Sequence, residues 1–352
     1  MSRTRSVIGV AAGAVGVAAA GGAARYASIR LLRHRPMAGD ELPLGSLRSD
    51  PHTVVADDGL PLYAEVDEYE GRRARPPITL VFVHGYCLNL DSWHFQRAAY
   101  RGILRTVFYD QRSHGRSGRS PSEHATIDQL GRDLARVIDD LSGDDQVIVV
   151  GHSMGGMTIL SLAEQRPDLF GTKIVGTALI STTAGGLDPG RIIFPMLPAG
   201  IGGGVIGRVV RAMSRGHKAV DAVRRMGKDV AIVVTDLYAF GDDVPGPYIQ
   251  FAYDLLSGTT FDVVADFFPA FATLDVWHAA PELARVPTAI ICGTADKLTA
   301  IGHSRKLHAR IHGSDLLECE GAGHLVPIER NEDVNHELDR LVARVIDTVV
   351  AP

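Results

Sequence analysis

Three side chains in this sequence are of the types that acyl transfer needs, and each stands behind an apolar run. Ser153 lies in Gly151-His152-Ser153-Met154-Gly155-Gly156, directly after Gln146-Val147-Ile148-Val149-Val150. A buried strand that ends in Gly-X-Ser-X-Gly marks a nucleophile elbow, a strained strand-to-helix turn that thrusts the serine outward. Flanking glycines suit such a turn because they carry no Cβ to clash. The pattern has little force by itself in a chain with 38 glycines, and its context gives it weight. A serine hydroxyl becomes a nucleophile when a base takes its proton, a carboxylate orients the base and donors hold the resulting oxyanion. His324, in Gly321-Ala322-Gly323-His324, follows a short run at Asp315 to Cys319 and is the candidate base. Asp296 follows the run Thr288 to Cys292 and is the candidate acid, a role that another strand end can also fill.

The oxyanion needs backbone donors from two loops. Met154, just after the serine, opens a helix whose N-terminal dipole favours negative charge. Tyr86 follows Val83-His84-Gly85, a His-Gly turn after an earlier apolar run, and is the second candidate donor. Cys87, His152 and Leu325 border the expected substrate pocket. His84, His114 and His152 also read as structural residues that fix loops. His303, His308 and His312 have no metal-ligand grouping. The three cysteines, Cys87, Cys292 and Cys319, are odd in number and lack C-x-x-C spacing, so they suggest neither a disulfide framework nor a zinc site. No metal and no organic cofactor is expected.

The elements that must hold these residues follow a βαβ rhythm. Thr53 to Val55 and Leu62 to Val66 read as an antiparallel hairpin around Asp57-Asp58-Gly59. Ile78 to Val83, Thr106 to Tyr109, Gln146 to Val150, Thr177 to Ile180, Thr288 to Cys292 and Asp315 to Cys319 read as parallel strands buried on both faces. A helix starts at Thr126 with Gln129 in capping-box position, and Leu130, Leu134, Val137, Ile138 and Leu141 share one face. A last helix carries Val334, Leu338, Leu341, Val342, Val345 and Ile346 at helical spacing. Between Ile180 and Thr288 lie roughly 100 residues, several times what a βα connection needs, so this stretch is an inserted lid.

The lid combines apolar residues (Phe194, Met196, Leu197, Phe251, Phe261, Phe267, Phe268, Phe271) with a basic group (Arg208, Arg211, Arg215, Lys218, Arg224, Arg225, Lys228). Arg208, Arg211 and Arg215 fall on one helix face. That face is either solvated or meets anionic lipid headgroups. Gly202-Gly203-Gly204 follows no strand and is read as a hinge rather than a dinucleotide site. At the N-terminus, Arg3 and Arg5 precede an uncharged Ala/Gly/Val segment from Val7 to Ala24, followed by Arg25, Arg30, Arg33 and Arg35. A membrane anchor, a cleaved signal peptide and a disordered or incidental soluble tail all fit this pattern. The resulting division is an anchor or signal segment at 1–35, a linker at 36–50, the core at 51–184, the lid at 185–275 and the remaining core at 276–352. A net charge of -5 over 352 residues gives no reason to expect nucleic acid as a partner.

These ordered motifs resemble the α/β-hydrolase fold family, in its lipase, esterase and monoacylglycerol-lipase-like branch. The resemblance runs from about Pro51 to the C-terminus. It rests on the His84-Gly85-Tyr86 loop, Asp110-Gln111-Arg112-Ser113-His114-Gly115-Arg116-Ser117, the serine elbow, the Gly293 to Asp296 loop and the Gly323-His324 pair. The chain order Ser153, Asp296, His324 is that of the family. Ser113 stands where the family usually has glycine, and Lys297 follows the acid. The resemblance implies an α/β fold, a mostly parallel doubly wound sheet with an inserted helical lid. It implies a serine esterase that acts through an acyl-enzyme on hydrophobic or lipid acyl esters. Family members that act as epoxide hydrolases or dehalogenases carry aspartate at the elbow, and Ser153 argues against both. Acyltransferase, thioesterase and haloperoxidase-like chemistry would reuse the same residues and stay open, as does a non-catalytic ligand receptor. The expected partners are a small-molecule or lipid ester and a membrane surface, with a secreted, cell-envelope or cytoplasmic location as the alternative and the oligomeric state left open.

Overall fold

The inner apolar runs become strands because they are covered from both sides. The computed structural model describes residues 42–71, 77–187 and 238–350. In β3 (Ile78–Val83) the side chains alternate. Ile78, Leu80 and Phe82 enter one buried cluster and Val81 and Val83 enter another. β4 (Arg105–Tyr109), β5 (Gln146–His152) and β6 (Ile174–Ile180) are likewise almost wholly buried. β7 (Thr288–Gly293) is wholly buried, whereas β8 (Asp315–Cys319), expected to be buried on both faces, is only half-buried because it is the edge strand that completes the parallel part. β1 (Pro51–Val55) and β2 (Pro61–Asp67) form an antiparallel hairpin at the edge, turned by Gly59 at φ +83°. The eight-stranded sheet has the order β1-β2-β4-β3-β5-β6-β7-β8, antiparallel at β1/β2 and β2/β4 and parallel elsewhere.

This order places the site. The chain leaves β3 toward β4 on one side and returns to β5 on the other, which makes the carboxyl ends of β3 and β5 a topological switch point. Ligands of doubly wound sheets bind in the crevice at such a point. One face of the sheet is covered by α2 (Ile127–Leu141) and α3 (Met154–Gln165). The other is covered by α1 (His94–Tyr100) and the last helix, α8 (Asn331–Val350), whose Val334, Leu338, Leu341 and Val345 are buried at the expected spacing. Burying each such side chain stabilises the fold by roughly 1.5–3 kcal/mol.

At the start of α2 only half of the expected capping box forms. Thr126 Oγ1 accepts from Gln129 N at 3.1 Å. The Gln129 side chain does not reach back; it donates to Asp57 and Asp133 and accepts from Arg132. Tertiary partners outcompete the local one here.

The segment between β6 and β7 is pinched at its base, where Gly185 and Asp275 pair in an antiparallel bridge and Val276 N donates to Ala184 O at 2.8 Å. It contains α4 (Gly246–Ser257) and α5 (Phe261–Thr273). α6 (Ile301–Arg310) follows β7, and the short α7 (Val326–Glu329) precedes α8. Phe194, Met196, Leu197, the Gly202 to Gly204 run, the basic group from Arg208 to Lys228 and the N-terminal 1–41 lie outside the described residues. Among the described residues no helix is long and apolar enough to cross a membrane. Residues of the expected linker pack on the core: Gly45 N donates to His94 Nδ1 at 3.2 Å and Ser49 N to Glu65 Oε2 at 2.9 Å.

Candidate active site

Ser153 sits between β5 and α3 with φ +52° and ψ -115°, a conformation that L-residues rarely adopt. Strain of this kind costs on the order of 1–3 kcal/mol and persists where the surroundings over-determine the backbone. Here Ser153 N donates to Ile180 O at 2.9 Å, and Ser153 O accepts from Thr182 Oγ1 at 2.7 Å. The glycines of the elbow answer to close approach. A Cβ on Gly155 would lie 2.0 Å from Val83 O, and one on Gly151 would lie 2.5 Å from Gly155 O. Only hydrogen at these positions lets α3 begin against the end of β3.

Three loops meet at the serine. His324 Nε2 lies 2.9 Å from Ser153 Oγ, and His324 Nδ1 lies 2.9 Å from Asp296 Oδ2. All three residues are at most 8% exposed. The Asp296 carboxylate is an acceptor hub. Oδ1 takes Leu298 N at 2.8 Å and Thr299 N at 2.9 Å, while Oδ2 also takes Thr299 Oγ1 at 2.8 Å. Burial would raise the Asp296 pKa, but the adjacent His324 and these donors hold it below the usual carboxylate value. The carboxylate is therefore an anion that orients Nδ1–H and frees Nε2 toward Ser153.

The supporting histidines are neutral. Burial lowers His152 to about 3, with His324 nearby adding to the effect; its Nε2–H donates to His324 O at 3.0 Å. His84 is also lowered to about 3 by burial, and its Nε2 accepts from Gln111 N at 2.9 Å. Gln111 donates in turn to His84 O at 2.6 Å and accepts from Thr158 of α3 at 3.0 Å, so the His84-Gly85 loop and the serine helix are tied together. Ser113 has φ +65°, which accounts physically for glycine being usual at that position.

Among the described residues, neither Tyr86 N–H nor Met154 N–H has an acceptor. Cys87, beside Tyr86, has φ +59°, and burial pushes its thiol up to about 12, so it is no thiolate nucleophile. A cavity of about 420 Å³ opens over Ser153 and is bordered by all three expected pocket residues, Cys87, His152 and Leu325. Its walls are otherwise mostly apolar, with Tyr86, Met157, Val264, Phe268 and Phe271 prominent. Tyr86 packs edge-on against Phe271 at 4.9 Å, and its hydroxyl donates to Val264 O at 2.5 Å, joining the loop after β3 to α5. Among the described residues no cluster of three or more His, Cys, Asp or Glu side chains is arranged for a metal ion.

Thr299, Tyr238, Ala239, Val264 and Glu329 took no part in the sequence reading. Only Thr299 had a local signal, since an aspartate that caps the amides two and three residues on is a common turn device. The other four depend on contacts between distant segments.

Comparison with known proteins agrees with the architecture. Residues 80–337 match the alpha/beta hydrolase family. An uncharacterized protein of Mycobacterium tuberculosis is 26% identical over 292 residues, covering 76% of this chain and 75% of its own. Among solved structures, the enol-lactonase from Burkholderia xenovorans LB400 aligns with a TM-score of 0.65 at 23% identity, covering 83% of this chain and 100% of its own. An esterase from Exiguobacterium antarcticum aligns with a TM-score of 0.64 at 20% identity, covering 85% of this chain and 99% of its own. The eight-stranded sheet, the serine elbow at its switch point and the match over residues 80–337 together make this chain a member of the alpha/beta hydrolase family.

Proposed function

We propose that this protein is a serine esterase that cleaves carboxylic esters with uncharged, hydrophobic acyl groups, lipid acyl esters included. The observation that carries this reading is the continuous series Ser153 Oγ, His324 and Asp296, each step 2.9 Å, at the foot of an apolar cavity. In this mechanism Ser153 Oγ attacks the ester carbonyl while His324 Nε2 takes its proton. Tyr86 N–H and Met154 N–H receive the oxyanion, at the positive end of α3. His324 returns the proton to the departing alcohol, leaving an acyl-serine. Water then attacks the acyl group by the same route, releasing the acid and restoring Ser153. Asp296 stays ionised and stabilises the imidazolium at both steps.

A series of p-nitrophenyl esters from acetate to palmitate tests the acyl preference. Each methylene buried in the transition state is worth about 0.8 kcal/mol, so kcat/KM rises roughly fourfold per methylene until the cavity is full. A sharp optimum at acetate would overturn the hydrophobic part of the proposal. The N-terminal segment and the basic stretch from Arg208 to Lys228 extend the proposal to a membrane surface. For the full chain, anionic vesicles carrying the ester should be turned over faster than the same ester in neutral vesicles.

Tyr86 gives a second test. Tyr86→Phe keeps the ring against Phe271 and removes the donor to Val264 O. One such bond is worth about 0.5–1.5 kcal/mol, so kcat/KM should fall roughly two- to tenfold. Unchanged kinetics would show that this tie does not set the loop that supplies the Tyr86 amide.

A further inference from the structure

Glu329 closes α7, five residues beyond His324, and is only 8% exposed. Its carboxylate accepts Gly323 N at 2.7 Å, immediately before the base, and Asp242 N at 2.9 Å from the segment between β6 and β7. Gly241 N adds a bond shared by both oxygens at 3.2 Å. Arg330 stands 3.8 Å from Oε1 and also donates to Asp242. On the other side of the base, Leu325 N donates to Ala239 O at 2.8 Å. His324 is thus bracketed by bonds to residues 239–242, whose neighbour Tyr238 borders the cavity together with Ala239. The two segments touch backbone to backbone. A Cβ on Gly241 would lie 2.0 Å from Gly321 O, and one on Gly323 would lie 2.5 Å from Phe240 C.

We propose that Glu329 is a positioning residue that locks the His324 loop to the Tyr238–Ala239 wall of the cavity, so that one carboxylate sets both the reach of the base to Ser153 and the seat of the acyl group. The inference rests on the reading of Ser153 and His324 as nucleophile and base. Its physical ground is that three backbone N–H donors converge on one buried carboxyl group. A carboxamide of the same shape offers a single acceptor oxygen and turns an NH₂ toward donors, so one side of the clamp must open.

The test uses the full chain carrying Glu329→Gln, with active sites counted by a fluorophosphonate. Turnover is then expressed per labelled Ser153, well below the melting temperature of the variant. Displacing a catalytic group by about an ångström costs on the order of a hundredfold, so kcat per labelled site should fall about 10- to 100-fold. KM for the acetate ester should change less than kcat, and the preference for octanoate over acetate should shrink as the wall loosens. A kcat per site within about twofold of the unmodified chain, with an unchanged ester profile, would overturn the proposal and leave Glu329 a purely structural residue. If Glu329→Gln does not fold, Glu329→Asp, which keeps the charge and shortens the reach by one methylene, is read by the same two results. Failure of the unmodified chain to be labelled at Ser153 would instead refute the esterase reading itself.

Discussion

Ser153→Ala is expected to abolish labelling by a fluorophosphonate and to lower kcat for a p-nitrophenyl ester by at least about 10⁴-fold. The size follows from the geometry. His324 Nε2 is aimed at the one atom that the substitution removes, and the Cys87 thiol, which also borders the cavity, is kept protonated by burial. Stability should change little, by within about 1 kcal/mol, because one hydrogen bond is lost while the Cβ and the strained backbone remain. Intact-mass analysis after labelling and a melting curve read the two halves of the prediction. Retained turnover in a variant that melts normally would remove Ser153 from the mechanism.

Asp296→Asn should be nearly as damaging, lowering kcat by about 10⁴-fold without disturbing the fold. The reason lies in the donor census around the carboxylate. Leu298 N and Thr299 N both bond Oδ1, so an asparagine keeps its oxygen there and presents its NH₂ where Oδ2 stood. His324 Nδ1, 2.9 Å from that position, must then accept, which moves the imidazole proton to Nε2 and points a donor at Ser153 Oγ. The base is present but in the wrong tautomer. A stability measurement adds a sign. The native carboxyl has a pKa below its ordinary value, so its ionised form contributes stability at pH above the ordinary carboxylate range. That contribution is lost as pH falls through the lowered folded-state value. Asp296→Asn should therefore show a weaker loss of stability on the acid side. An asparagine variant with near-native kcat would mean that another carboxylate orients His324.

Ser153, Asp296 and His324 stand out in the sequence because the chemistry and the fold mark them twice. Ser153 is flanked by glycines that a close helix-strand approach demands, and Asp296 and His324 each follow an apolar strand by a few residues. The inner strands were legible because burial on both faces leaves continuous apolar runs, as in Ile78–Val83. Glu329 was not, since a carboxylate next to an arginine looks like a solvated pair until its 88-residue contact with Gly241 is seen. Gln129 misled for the complementary reason: its local capping role was written in the spacing, and its tertiary partners Asp57 and Asp133 were not. The same limit applies to the cavity wall, where Tyr238 and Val264 come from a stretch whose periodicity says helix and nothing of what it faces.

The bridge between Gly185 and Asp275 has a wider consequence. About 90 residues leave and rejoin the sheet at one point, so the eight strands experience them as a loop with fixed, adjacent ends. Closing a flexible loop costs only about 0.6 kcal/mol more for each doubling of its length. The length of chain hung from that point therefore costs the scaffold little in closure entropy, and we expect a different segment grafted between residues 185 and 275 to change the cavity wall while the sheet and Ser153 stay as they are. The graft must bring back segments that satisfy Glu329 and the Leu325 amide and that pack against Tyr86 as Val264 and Phe271 do.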